Sequence, residues 1–138
     1  MSPCVQSKSD VYIKLKQNRA ELTIVNPQRR LVEIGYVDDC LIVGGHERCD
    51  YYVQPSSNLI FFIELKGSNV KKAVNQIIST VRILKEKSHM NKVGVIVCSK
   101  SPKQGTDFQI AKAKARKFCR DNALSFDAPK ASKRSITV

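Results

Sequence analysis

The sequence predicts an α/β domain in which helices flank a mixed β-sheet. The first observation is the run 59–63, five consecutive apolar residues that indicate a strand buried on both faces. The second is the apolar stripe over about residues 69–87, which is typical of an amphipathic helix. The third is another short apolar strand at 93–98. A strand–helix–strand unit implies a parallel crossover, so we expect the two strands in one sheet.

The composition predicts one basic domain. The chain has 138 residues and 42% hydrophobic residues, which is enough for one core. Its net charge of +12 favours a polyanionic partner, most often nucleic acid, although a basic protein that is merely soluble would have the same composition. No apolar run approaches the ~20 residues of a spanning helix, and residues 1–5 lack a signal-peptide core, so we expect no membrane and a cytoplasmic location. The five cysteines match no disulfide framework, so we expect reduced thiols.

Hairpin signals fill the N-terminal half after a loose lead-in over residues 1–10. β-Branched residues dominate 21–25 and 31–37, and the Asn-Pro step between them marks a turn. A second turn signal is the Gly-Gly pair at 44–45, and counting outward from it places Asp39 opposite Asp50. Like charges placed opposite each other on a sheet favour a bound cation or a shared proton.

A third hairpin brings acidic residues together. Residues 50–54 and 59–66 are the arms, with turn chemistry between them. Antiparallel pairing places Asp50 beside Glu64, to within about one residue. Glu64 and Lys66 are two residues apart and so project to one face. Because desolvating a charge is costly, such a strand end is either a structural ion pair or a binding site.

The C-terminal part predicts a basic helix and a tail. The helix begins at Thr106 or Asp107 and runs to about residue 122, and a short strand follows at 123–126. We expect a single domain over 1–127 and a basic, flexible tail over 128–138. The basic helix face is either an ordinary solvated face or a set of phosphate contacts. The predicted contacts, including one from the first helix and one from the preceding loop, are Lys72, Lys103, Lys112, Arg116 and Arg120, with Lys130, Lys133 and Arg134 in the tail.

An aspartate on one strand, Glu-x-Lys closing the next and a helix behind it resemble the PD-(D/E)XK nuclease superfamily. These residues are Asp50, Glu64 and Lys66, and Gln76 is similar to the glutamine that many members carry after this strand. The resemblance covers roughly residues 50–98. It implies a restriction-endonuclease-like mixed sheet and Mg²⁺-dependent (or Mn²⁺-dependent) hydrolysis of nucleic acid, with DNA as the expected substrate.

The resemblance also implies roles for the site residues. Asp50, Glu64 and the Leu65 carbonyl would bind one or two Mg²⁺ ions, which prefer oxygen ligands. The metal would stabilise charge on the phosphate and activate a water molecule. Lys66 would orient or deprotonate that water, and Gln76 would orient Lys66 or the phosphate.

Many superfamily members take a further acidic residue from a helix before the core sheet. This sequence predicts no such helix, which is a departure from the family pattern. Asp39 is the candidate substitute as a metal ligand, ahead of Glu33 and Glu21. The alternative for Asp39 is an aspartate in a surface turn.

The expected function is a nuclease that acts as a homodimer or as a subunit of a larger complex. Holliday-junction resolvases of this superfamily are similar in size and basicity, which makes branched DNA a candidate substrate. One alternative is a catalytically inactive, nuclease-like nucleic-acid-binding subunit, and another is a basic face that meets an acidic protein. Zinc at Cys40, His46 and Cys49 would lack a clear fourth ligand unless Cys4 folds back, so core thiols or a cross-strand pair are the simpler interpretation.

Overall fold

The computed structural model describes residues 3–65, 69–99 and 105–138. The described helices lie in the C-terminal half together with further strands, and strands alone are described in the N-terminal half. The elements, in order, are β1 (Val5–Lys8), β2 (Tyr12–Gln17), β3 (Ala20–Val25), β4 (Val32–Tyr36), β5 (Tyr51–Ser56), β6 (Leu59–Glu64), α1 (Val70–Ile83), a 3₁₀ turn (Lys85–Lys87), β7 (Asn91–Cys98), α2 (Gly105–Lys114), α3 (Arg116–Asp121), β8 (Leu124–Phe126), β9 (Lys130–Ala131) and β10 (Lys133–Thr137).

Two sheets contain the described strands. The main sheet has seven strands in the order β1-β4-β5-β6-β7-β8, and β9 also pairs with β7. It is antiparallel from β1 to β6 and parallel from β6 onward, which makes it mixed. The second sheet has the order β10-β3-β2. The prediction of a mixed α/β fold is confirmed at this level.

The main sheet is buried on both faces, as its apolar strands predict. One core lies between this sheet and the helices and includes Phe62, Ile77 and Ile96. The other lies between the two sheets, where Leu22 of β3 packs with Ile34 of β4 in one cluster. The protein therefore has three layers: helices, the main sheet and the small sheet.

The predicted hairpin over residues 50–66 and the strand–helix–strand unit that follows it are confirmed. Strands β5 and β6 form an antiparallel hairpin, and β6 and β7 are parallel neighbours joined through α1. The side chain of Asn69 caps α1 by accepting a hydrogen bond from the Lys72 amide at 3.0 Å. The local sequence pattern is enough to predict these elements, because each apolar run fits either a buried strand or a helix over its whole length.

The predicted hairpin over 21–25 and 31–37 is wrong. Strands β3 and β4 form as expected but belong to different sheets. Asn26 lies at the turn and is fully buried, and its side chain binds the Asp10 carbonyl and both the carbonyl and the amide of Arg30. The chain therefore crosses between layers at Asn26, and the apolar faces of the two strands meet across the core instead of pairing edge to edge.

The predicted hairpin around residues 44–45 is also wrong. The stretch between Tyr36 and Tyr51 contains no strand, only turns and an isolated bridge between Asp38 and Ile42. Gly44 has φ +84°, so the glycine does make a turn there. The flanking residues do not pair, and the count that places Asp39 opposite Asp50 does not apply.

The expectation of five reduced cysteines is wrong, because Cys4 and Cys40 form a disulfide. Strand β1 pairs with β4, and the Cys4 carbonyl accepts a hydrogen bond from the Tyr36 amide at 2.8 Å. The turn after β4 then brings Cys40 back, with its amide bonded to the Val37 carbonyl. A separation of 36 residues hides this proximity from any local pattern. The lead-in over residues 1–10 thus includes a paired strand.

The C-terminal part differs from prediction in two ways. The single helix is divided at Ala115 (φ −92°, ψ 5°), although hydrogen bonds from Ala115 to Ala111 and from Cys119 to Ala115 continue across it. The division is therefore a bend. The predicted flexible tail instead contains β9 and β10, and β10 pairs with β3 along its whole length. Its Ser-Ile-Thr-Val ending supplies the β propensity for this strand.

One charged side chain, that of Lys92, is buried at the start of β7. Lys92 is 2% exposed, and its ammonium group donates to the carbonyls of Ser88 (2.8 Å), Met90 (2.9 Å) and Asn122 (2.6 Å). Burial lowers the pKa of Lys92. The three carbonyls occupy its three donors, so Lys92 ties the end of α3 to the start of β7.

A second polar cluster lies near the same end of the sheet. Glu33 of β4 accepts hydrogen bonds from the Tyr52 hydroxyl at 2.6 Å and from Lys87 at 3.0 Å. Lys87 also donates to Gln54 at 2.7 Å and lies over the Tyr52 ring. Burial acts to raise the pKa of Glu33, but the bonds from Tyr52 and Lys87 outweigh it and lower the pKa below 4.5.

Candidate metal and phosphate site

An open cleft of about 450 Å³ lies at the end of β6, beside the first turns of α1. Three predicted catalytic residues, Asp50, Glu64 and Gln76, line it together with Lys72 of α1. The rest of its wall comes from the loop between β4 and β5, namely Asp38 and residues 44–48. The fold thus gathers one strand end, one helix and one loop around a solvent-accessible space.

The β5–β6 hairpin positions the two carboxylates. Tyr51 pairs with Ile63, and the Asp50 amide donates to the Ile63 carbonyl at 3.0 Å. Asp50 therefore lies next to the end of β6, where Glu64 is the last residue. Both residues are nearly excluded from solvent, Asp50 at 5% and Glu64 at 4% exposure. The Leu65 amide donates to Asp50 Oδ2 at 2.8 Å and fixes the orientation of that carboxylate.

Thr80 of α1 connects the helix to the residue before Asp50. The Cys49 amide donates to Thr80 Oγ1 at 2.8 Å, and the Thr80 hydroxyl donates to the Gln76 carbonyl at 2.8 Å. Thr80 is fully buried. It therefore connects α1 to the chain next to Asp50, a role that the sequence did not indicate. The one sequence signal is its spacing, four residues after Gln76 and eight after Lys72, which places the three polar residues on one side of the helix.

Arg48 organises the loop over residues 38–48. Its guanidinium donates to Asp38 Oδ1 at 2.8 Å, to Asp39 Oδ1 at 2.6 Å and to the Gly44 carbonyl at 2.6 Å. The loop is also bound to the strand, because the amides of Val37 and Asp38 both donate to the Asp50 carbonyl. Sequence reasoning missed Arg48, since nothing local distinguishes it from the other basic residues of the chain.

Asp39 is not placed as predicted. Its side chain is 78% exposed, it adopts a left-handed backbone conformation (φ 58°), and its carboxylate is bound to Arg48. Asp38, one residue earlier, is the loop aspartate that lines the cleft. The other weaker candidates lie elsewhere, with Glu33 bound to Tyr52 and Glu21 paired with Lys14 in the small sheet.

A hard cation such as Mg²⁺ needs several oxygen ligands around it. Within residues 3–65, 69–99 and 105–138, no group of three or more His, Cys, Asp and Glu side chains is arranged to hold a metal ion. The cleft does contain a pair of nearly buried carboxylates, Asp50 and Glu64. Protein sites for Mg²⁺ commonly use one or two carboxylates and complete the shell with water and substrate phosphate oxygens, so this pair fits that cation.

Two predicted residues fall outside the described part of the chain. Lys66 directly follows the described Leu65, and Lys103 lies in the undescribed stretch before α2. Leu65 is described, and its amide donates a hydrogen bond to Asp50. The predicted roles of Lys66 and of the Leu65 carbonyl stay predictions.

The cysteines do not form the zinc site considered as an alternative. The sulfur of Cys40 is bonded to Cys4, and Cys49 is fully buried beside Thr80. Burial raises the pKa of Cys49, and the nearby charges of Glu64 and Asp50 raise it further. Cys49 is therefore a neutral thiol in the core and not a thiolate ligand.

The predicted row of basic residues on the C-terminal helix lies away from the cleft. Lys112 and Arg116 line a separate groove of about 290 Å³ against β8, with Leu124 and Phe126. Arg120 is exposed beside Asp121 at 3.6 Å. Lys72 is thus the one described member of the predicted phosphate contacts that the structure brings to the cleft. Arg134 of the tail is bound to Asp127 at 2.9 Å.

Comparison with known proteins gives no relative. No family model, no curated protein and no solved structure matches the chain. Among the described residues, no helix is both long enough and apolar enough to cross a membrane.

Proposed function

We propose that this chain is a metal-dependent nuclease of the PD-(D/E)XK type that hydrolyses phosphodiester bonds of nucleic acid, with DNA as the expected substrate. The observation that carries the proposal is the shared cleft of Asp50, Glu64 and Gln76. Both carboxylates are nearly buried yet line one open cleft, and a cation bound there would interact with both of them.

Each residue of the cleft would have its own role in this reaction. Asp50 and Glu64 would hold Mg²⁺ or Mn²⁺, which supplies charge neutralisation at the phosphate and an acidified water molecule. The Leu65 amide keeps Asp50 oriented. Lys72 and Gln76, one helical turn apart on α1, would contact the phosphate oxygens at the mouth of the cleft. Lys66, next along the chain from Leu65, would orient the water.

The net charge of the chain supports a polyanionic substrate. With 24 Lys and Arg residues against 12 Asp and Glu residues, the surface attracts phosphate at long range. This attraction is independent of sequence and falls as salt rises. This long-range attraction would bring a nucleic acid to the cleft even though the cleft lining includes acidic side chains.

A second candidate is a nucleic-acid-binding subunit that has this fold and does not cleave. The observation that favours it is the absence, among the described residues, of a third acidic ligand beside Asp50 and Glu64. It predicts salt-dependent binding with no cleavage at any concentration of divalent metal.

The deciding experiment is a cleavage assay with the purified full chain. Labelled duplex, single-stranded and four-way-junction DNA and RNA would be incubated with Mg²⁺, Mn²⁺ or EDTA. The nuclease proposal expects cutting of at least one substrate that needs the metal and is lost in Lys66→Ala. The matched control is Lys85→Ala, an exposed lysine beyond the end of α1. Binding of DNA without cutting in any metal would overturn the nuclease proposal in favour of the second candidate.

A further inference from the structure

A second groove, of about 350 Å³, runs between α1 and the α2–α3 bend. Its basic lining comes from three exposed residues on both sides: Lys71 and Arg82 of α1 and Lys114 of α2. Among the described residues that line it, Glu47 is the one acidic side chain. We call it the α1–α2 groove.

The α1–α2 groove adjoins the cleft. Glu47 lines both spaces, so they meet at the loop over residues 38–48. On α1, Lys72 and Gln76 line the cleft while Lys71 and Asn75 line the groove. These two pairs occupy neighbouring rows of the helix surface, so one stretch of α1 forms a wall of both spaces.

The floor of the groove is partly apolar and fixes one of the cations. Phe118 and Ile78 line it, and the Arg82 guanidinium lies 4.8 Å from the centre of the Phe118 ring. A cation held over an aromatic face loses less conformational freedom on binding a partner than a free one. The groove thus presents positive charge above an apolar surface, which suits a chain of phosphates linked by sugars.

We propose that the α1–α2 groove binds the sugar–phosphate backbone of the nucleic-acid strand on one side of the phosphate that enters the cleft. This inference rests on the proposed function for the identity of that phosphate. The cleft lining holds four acidic residues, Asp38, Glu47, Asp50 and Glu64, beside Lys72, so further positive charge next to the cleft would favour binding of a polyanion. The α1–α2 groove supplies such charge on the adjacent surface of α1.

The groove replaces the row of Lys112, Arg116 and Arg120 as the main phosphate contact. Lys112 and Arg116 line the space against β8, which shares no described lining residue with the cleft or with the α1–α2 groove. A strand bound along that row would not continue into the cleft through any described groove.

The test is metal-free binding of a short fluorescent DNA, single-stranded and duplex, followed by anisotropy over a range of salt. Lys71→Ala with Lys114→Ala is compared with Lys112→Ala with Arg116→Ala, which removes the same charge. The groove pair should weaken binding about tenfold at moderate salt and reduce the salt slope by about 2. The control pair should change both far less. Thermal melting of both variants would verify that they fold.

Equal losses in the two pairs, or no loss in the groove pair, would overturn the inference. Because the assay contains EDTA, its result is independent of cleavage. If the wild type cuts no substrate and only the groove pair loses binding, the nuclease proposal fails and the groove assignment stands. If the wild type cuts and the groove pair binds and cuts unchanged, the groove assignment fails and the nuclease proposal stands.

Discussion

Charged side chains are buried at both ends of the parallel strands β6 and β7, but their surroundings differ. At the start of β7, Lys92 is enclosed, and its three donors meet three backbone carbonyls. At the end of β6, Asp50 and Glu64 are as deeply buried, yet they line a cleft open to solvent. Burial alone does not distinguish the two ends.

The surroundings of the charge make the difference. A buried group whose hydrogen bonds are made by the protein's own backbone contributes to folding, because removing it leaves those partners unsatisfied. Carboxylates that face an accessible space beside a helix can exchange partners with a ligand. Stability should therefore depend on the Lys92 end, and the proposed nuclease activity on the Asp50 end.

The largest expected effect is on activity. Asp50→Asn keeps an oxygen that can accept from the Leu65 amide but removes the charge that would hold the cation. Cleavage should fall by about 10³-fold, which corresponds to ~4 kcal/mol, while the melting temperature stays equal or rises. Asp39→Asn is the matched control and should cut like the wild type, since Asp39 is 78% exposed, Asp38 and not Asp39 lines the cleft, and the Asn oxygen can still accept from Arg48. Equal losses in both variants would remove the distinction between the two aspartates.

The next effect is on stability at the opposite end. Lys92→Met retains most of the side-chain volume but leaves the carbonyls of Ser88, Met90 and Asn122 without their donor. The free energy of unfolding, measured in urea, should drop by about 2–4 kcal/mol. Lys85→Met, at an exposed position, should stay within about 0.5 kcal/mol of wild type. If Lys92→Met left the free energy of unfolding unchanged, the Lys92 end of the sheet would not be the end on which stability depends.

A smaller effect is expected next to the Glu33 cluster. A Cβ atom added at Gly35 would collide with the ring of Tyr52, which covers this glycine from the neighbouring strand. Gly35→Ala should therefore cost about 1–3 kcal/mol of unfolding free energy. Gly45→Ala provides the control, because nothing lies within 4 Å of a Cβ built there and its φ is not positive. Similar melting of the two variants would contradict the packing role of Gly35.

The smallest effect concerns pH. The pKa of Glu33 is lowered below 4.5 because the hydrogen bonds from Tyr52 and Lys87 outweigh the effect of burial. Its contribution to stability is thus present above pH 4.5 and is lost as the pH falls through the folded-state pKa. The difference between wild type and Glu33→Gln should be under about 1 kcal/mol at neutral pH and should shrink in acid. If the difference in unfolding free energy between wild type and Glu33→Gln grew on acidification, the pKa of Glu33 would be raised in the folded state and not lowered.

The predictable part of the fold is the part with local causes. The β5–β6 hairpin, α1 and β7 follow from apolar runs of one period and from the Asn69 cap, and they place Asp50 beside Glu64 as expected. The N-terminal strands were also predicted, but their partners were not. Strands β3 and β4 carry the same alternation whether they pair with each other or face each other across a core.

The candidate site shows the same division. Asp50, Glu64, Gln76 and Lys72 lie together because they belong to consecutive elements of one hairpin–helix unit. The loop residues were misassigned, since a Gly-Gly pair makes a turn without requiring that its flanks pair. Whether Asp38 or Asp39 faces the cleft depends on one left-handed residue and on Arg48, which no spacing rule predicts.

The sequence by itself determined the α/β class, the basic charge and the central unit with its two acidic residues, because these depend on composition and on contacts between neighbours in the chain. Only the tertiary structure decided which layer each N-terminal strand joins, that Cys4 meets Cys40, and that residues 130–137 form strands. It also decided which basic side chains adjoin the cleft. Those features depend on surfaces that come together after residues far apart in sequence have packed, where local propensity carries little information.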